Sequence, residues 1–126
     1  MPRIVHFEIP AKEPEKVAAF YREVFDWNIA KWDGPVEYWL VGTGEEGTPG
    51  IDGGLFTPDP GMHTTINTID VPDLDDYLKR VTANGGQVVV DKMPVPGVGW
   101  MAYCKDVEGT IFGLMQMDES VGPPAS

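Results

Sequence analysis

Two stretches of the chain carry apolar residues at helical spacing. In EPEKVAAFYREVFD, Val17, Phe20, Tyr21 and Val24 follow the i, i+3, i+4, i+7 pattern of an amphipathic helix. In PDLDDYLKRVTANGG, Leu74, Tyr77, Leu78 and Val81 repeat that pattern at an offset of 57 residues. Pro72 near its start and Asn84-Gly85-Gly86 at its end are start and stop signals for the second helix. Around each helix the pattern shifts to strand-like alternation. One strand candidate precedes each helix, RIVHFEI in the first half and HTTINTI in the second. Three follow it: WNIAKW, VEYWLVG and IDGGLF, then QVVVDK, WMAYCK and TIFGLMQ.

Each half therefore reads β-α-β-β-β, and the expected fold class is α+β, built from two βαβββ modules. Neither half encloses a core alone, so the halves are expected to pair. Module one covers about residues 3–57 and module two about 62–117, within one domain over 1–117. Pro58, Pro60 and Gly61 read as the connector. DESVGPPAS, residues 118–126, has no periodicity and is expected to be a flexible tail. The closing strands align, Gly53-Gly54-Leu55-Phe56 against Phe112-Gly113-Leu114-Met115. A glycine inside a strand marks a bulge or a close approach by another group, and here it occurs twice at equivalent places.

Composition narrows the partners. With 126 residues the chain buries a sizeable core. The balance of 20 Asp and Glu against 9 Lys and Arg gives a net charge of −11, which argues against nucleic acid and anionic membrane. Apolar runs are too short to span a bilayer, and MPRIVHFEIP alternates like a strand and does not resemble a signal peptide. The single cysteine, Cys104, fits a reducing compartment, and a cytoplasmic protein is expected. No base is placed beside Cys104, so it reads as a small core residue and not as a nucleophile.

A His in the first strand, fourteen residues before the Phe of FYREVFDW, resembles the vicinal oxygen chelate superfamily; so do NGGQVVV and the closing KDVEGTIFGLMQ. That superfamily includes glyoxalase I, bleomycin-resistance proteins, fosfomycin-resistance enzymes and extradiol dioxygenases. The similarity covers about residues 3–117. It implies sheets curled around a shared cup, a homodimer, and in the enzymes a divalent metal held by the first and last strand of each module. Carried over, the ligand positions are His6, Gly54 and Gly113, with the fourth on Thr64 by counting back from Asp70. Extending the 57-residue offset instead pairs His6 with His63. A catalytic ion takes about three protein ligands, so the expectation is no metal cofactor, the alternative being a divalent metal at His6.

His6 and Glu8 share a strand face, alternating with Val5, Phe7 and Ile9, which are expected under the helix. In the resemblance that polar face lines the cup, where the pair binds a polar ligand or acts as acid and base. Trp39 and Trp100 are assigned to the cup as aromatic walls, against the alternative of core filling. Asp52, two residues before Gly54, is the nearby carboxylate available as a substitute ligand. PVPGVGW, residues 94–100, reads as a lid or as a tight hairpin with glycines for positive φ. The expected function is small-molecule binding by a metal-free homodimer. The alternatives are a lyase or isomerase related to glyoxalase I, which uses His6 with Glu8 or a makeshift metal site of His6, Asp52 and His63, and a partner-binding domain.

Overall fold

The structure, a computed structural model, describes residues 2–59 and 64–122. Pro60, Gly61 and His63, named above, lie outside the described residues. Module one contains β1 (Arg3–Pro10), α1 (Pro14–Phe25), β2 (Asn28–Lys31), β3 (Tyr38–Gly42) and β4 (Gly53–Phe56). Module two contains β5 (Ile66–Asp70), α2 (Leu74–Ala83), β6 (Gln87–Val95), β7 (Gly99–Lys105) and β8 (Ile111–Met117). The β-α-β-β-β order is thus present twice, and the fold class is α+β as the pattern predicts. The chain divides into two compact units, one of Val5–Ile66 and one that joins the residues up to Ile4 to those from Asn67 onwards.

In module one the strands run in the order β2-β3-β4-β1, antiparallel except for the parallel pair β1 and β4. In module two the order is β5-β8-β7-β6, with β5 and β8 parallel. A parallel pair needs a long crossover, and here each crossover holds the helix and two strands. The registers are equivalent: Glu8 faces Gly54 in one module and Thr68 faces Gly113 in the other.

Each sheet buries the face under its helix. The core of module one is Ala18, Ile29, Trp39, Val41 and Leu55, flanked by Phe7, Ile9, Val17, Tyr21 and Trp27. The core of module two is Val71, Leu74, Ala102, Cys104 and Leu114, flanked by Tyr77, Leu78, Val81 and Trp100 among others. The buried stripe of α1 is therefore Val17, Ala18 and Tyr21, while Phe20 and Val24 are more than half exposed. This corrects the expected stripe: Ala18 is small and does not stand out as apolar, so the helical template is met three residues too late. The true spacing between modules is 60 residues, from Pro14 to Leu74 at the helix starts and from Glu8 to Thr68 in the strands.

The caps follow from the sequence. Pro14 opens α1, and Asp26 closes it in the left-handed region at φ 60°, its N–H donating to the Arg22 carbonyl. The Asp73 side chain accepts from the Asp76 N–H at the start of α2, and the Gln116 amide oxygen accepts from the Leu74 N–H at 2.8 Å.

PVPGVGW is a tight hairpin: β6 runs to Val95, β7 begins at Gly99, and Gly97 turns at φ 76°. Residues 118–122 depart from the expected flexible tail. Val121 is buried, the Gly97 N–H donates to its carbonyl at 2.7 Å, and the Asp118 N–H donates to the Val98 carbonyl. An apolar side chain among polar neighbours was enough to anchor the segment.

Leu55 is fully buried at the centre of module one. Leu55→Ala is expected to cost about 2–5 kcal/mol through lost burial and the cavity left behind, read as a lower urea midpoint with an unchanged slope.

Candidate functional site

The alternation of β1 turns Phe7 and Ile9 towards α1 and sets His6 and Glu8 on the opposite face. Register carries that face across the module to Gly54 of β4, Leu40 and Tyr38 of β3, and Ala30 and Asn28 of β2. A concave cavity of about 420 Å³, open to solvent, lies here, lined by His6, Asn28, Ala30, Leu40, Val41, Gly42, Asp52 and Gly53. Its floor is apolar, with the His6 imidazole and the Asp52 carboxylate as its ionisable groups.

Tyr38 explains the glycine in β4. A Cβ on Gly54 would overlap the ring and hydroxyl of Tyr38, so only glycine leaves room for that side chain. The Tyr38 hydroxyl shares a hydrogen bond with His6 Nε2 at 2.7 Å, and the two rings are near parallel, 14° apart. Trp32 stands edge-on to Tyr38 at 6.2 Å. The sequence reading missed both residues. Tyr38 and Trp39 are adjacent large aromatics, and alternation alone did not say which of them faces His6.

Trp39 proves to be the one facing away. It is 4% exposed, packs under α1, and its indole N–H donates to the Glu15 carboxylate at 2.9 Å. Trp100 likewise packs on the helix side of module two, with Lys92 Nζ over its ring at 4.8 Å. Both residues leave the expected ligand cavity and are core side chains, because both faces of β3 and β7 are apolar and only register distinguishes them. Cys104 is fully buried in the same core, and burial pushes its thiol pKa up, away from nucleophilic character.

Burial lowers the His6 pKa below its ordinary value near 6.5, and the charges of Glu8 and Asp52 oppose that shift without reversing it. His6 is therefore neutral at pH 7. Glu8 is buried, at 6% exposure, directly across from Gly54. Asp52 is exposed, with one oxygen fixed as acceptor to the Thr43 N–H at 2.9 Å and the Thr43 hydroxyl at 3.3 Å.

In module two the same positions carry other groups. Gly113 meets Thr68: a Cβ there would lie 3.1 Å from Thr68 Oγ1 and 3.5 Å from the Tyr103 ring. The Thr68 hydroxyl is buried without a hydrogen-bond partner among the described residues. Since Glu8 corresponds to Thr68, His6 corresponds to Ile66. This corrects the placement on Thr64, which is exposed and precedes β5. That count assumed a spacing that the strand register does not keep. Among the described residues no three His, Cys, Asp or Glu side chains converge as a group able to hold a metal ion.

Residues 3–114 match the model of the Glyoxalase/Bleomycin resistance protein/Dioxygenase superfamily. The chain belongs to that superfamily. A glyoxylase-like domain-containing protein from Didymella fabae is 28% identical over 122 residues, 89% of this chain and 91% of its own. Among solved structures, a hypothetical protein from Bacillus halodurans C-125 aligns with TM-score 0.70 at 18% identity, over 97% of this chain and 99% of its own. A variant of Streptomyces coelicolor methylmalonyl-CoA epimerase in complex with 2-nitronate-propionyl-CoA aligns with TM-score 0.67 at 16% identity, over 97% and 98%. At these identities the structural matches show the shared glyoxalase-like fold. Among the described residues, no helix is long and apolar enough to cross a membrane.

Two predictions follow from this geometry. Gly54→Glu, which places a carboxylate on the strand, drives Tyr38 out of place and is expected to destabilise the protein by about 1–3 kcal/mol. Adding Tyr38→Ala relieves part of that cost, and the double-mutant cycle from urea unfolding should show a coupling of about 0.5–3 kcal/mol. Titration of His6 by NMR should give a midpoint below 6.5. The unfolded chain then binds the extra proton first, so stability rises with pH up to about 6.5 and is lost as pH falls through the native midpoint; His6→Gln removes that slope.

Proposed function

We propose that this protein binds a small, partly apolar molecule in the module-one cavity without a metal ion. The observation that carries the reading is Tyr38, whose side chain fills the place of a Gly54 carboxylate and holds His6 beside the cavity. The positions where the superfamily resemblance puts metal ligands bear His6, Gly54, Gly113 and, by register, Ile66. One imidazole does not fit the roughly three protein donors that a catalytic divalent ion takes. The cavity's volume falls within the range of small-molecule sites, and its apolar floor with a few polar groups suits one.

The CoA ester of the epimerase complex is a weaker model for the ligand. CoA carries phosphate groups that call for cationic partners, and among the described residues no Lys or Arg lines this cavity. A homodimer and a cytoplasmic location complete the reading. The exposed Phe20, Val24 and Phe25 of α1 supply an apolar surface for association, and a buried free Cys104 suits a reducing compartment.

A second reading is proton transfer, of the kind a lyase or isomerase uses. It is favoured by a neutral His6 at the cavity wall, since an unprotonated imidazole accepts a proton at pH 7.

Binding is tested with a panel of 3-phenylpropyl compounds (the alcohol, the amine and the carboxylate) by ¹H–¹⁵N NMR. Saturable shifts at His6, Ala30 and Leu40, abolished when Ala30→Trp blocks the cavity, are the expected result. A panel that leaves these signals unmoved overturns the reading.

A further inference from the structure

The lining of the cavity also constrains the charge of what it takes, and this step rests on the binding role proposed above. Among the described residues that line it, Asp52 is the one carboxylate, and no Lys or Arg is present. Its carboxylate is held in place at the cavity edge: the Thr43 N–H donates to Oδ1 at 2.9 Å. The Thr43 hydroxyl donates to the Ile51 carbonyl at 2.7 Å, which ties down the chain beside the carboxylate.

Three cations of module one engage partners outside the cavity. Arg22 donates to the Ile29 carbonyl, Lys16 pairs with Glu13, and Lys31 sits by Glu37 and over the Trp39 ring on the α1 side of the sheet. The lining also holds the apolar Ala30 and Leu40, with the Asn28 amide and the His6 ring as hydrogen-bonding groups. The whole chain carries a net charge of −11, and a field of that sign concentrates cations at the surface and repels anions.

We infer that the module-one cavity selects a cationic amphiphile, an ammonium group on a short apolar body, with Asp52 as the anchor for the charge and Ala30 and Leu40 as the apolar contact. An anion of the same shape meets a carboxylate with no compensating cation, and a neutral molecule keeps the apolar contact but forgoes the ion pair. The three classes are thus ranked ammonium, then neutral, then carboxylate.

The test measures dissociation constants of 3-phenylpropylamine, 3-phenylpropan-1-ol and 3-phenylpropionate on the full chain at pH 7 by NMR titration. The amine should bind about tenfold more tightly than the alcohol, the order of a charge-assisted hydrogen bond, and the carboxylate more weakly than either. Asp52→Asn keeps the shape and the Thr43 contact, and should bring the amine down to the level of the alcohol. Raising the salt concentration should narrow the gap in the native protein and not in the variant. If the amine binds no more tightly than the alcohol, or keeps its lead in Asp52→Asn, the inference fails while the binding role stands. If none of the three reaches the cavity, both fall together.

Discussion

Strand β4 is where module one is most tightly constrained. Its first two residues are glycines, and each face of the strand is claimed by an aromatic ring from a neighbour. A Cβ on Gly53 would run into the ring and carbonyl of Phe7, and one on Gly54 into Tyr38. The two rings do opposite jobs. Phe7 belongs to the hydrophobic layer under α1, while Tyr38 turns to the other side and meets His6. Remove the bare backbone and neither ring keeps its place, so the core on one face and the cavity on the other depend on the same two residues.

From that arrangement the chemistry of the site follows. A His beside a carboxylate in the open would be charged near neutrality, yet burial outweighs the pull of Glu8 and Asp52 and leaves His6 neutral. The phenol of Tyr38 gives that neutral ring a hydrogen-bond partner at 2.7 Å. The cavity therefore presents hydrogen-bonding groups of low charge over an apolar floor, with its one carboxylate at the edge.

Much of this was legible in the sequence, and the errors have a common source. The order of elements, the internal repeat and the paired glycines all come from local periodicity and turn residues, which act over a few positions. The faces of β1 were also readable, since Phe7 and Ile9 are apolar and His6 and Glu8 are not. What failed was phase. Ala18 hid the buried stripe of α1, so a spacing of 57 replaced the true 60, and the counterpart of His6 was sought at Thr64 or His63 and missed at Ile66. Trp39 and Trp100 were misplaced for a related reason: in β3 and β7 both faces carry large apolar residues, so alternation says that neighbours diverge but not which way. Register with β4 and β8 decides it, and register is a long-range property. Tyr38 was invisible as a site residue until that register was known.

The two modules also differ in how much room they leave at the strand glycines. At Gly113 a new side chain would begin 3.1 Å from Thr68 Oγ1, a tight but nearly tolerable contact. At Gly54 its first atom meets Tyr38, so a side chain enters there when the phenol moves away from His6. In evolutionary terms, a change at Gly54 carries the His6–Tyr38 contact with it, while one at Gly113 can be tried alone.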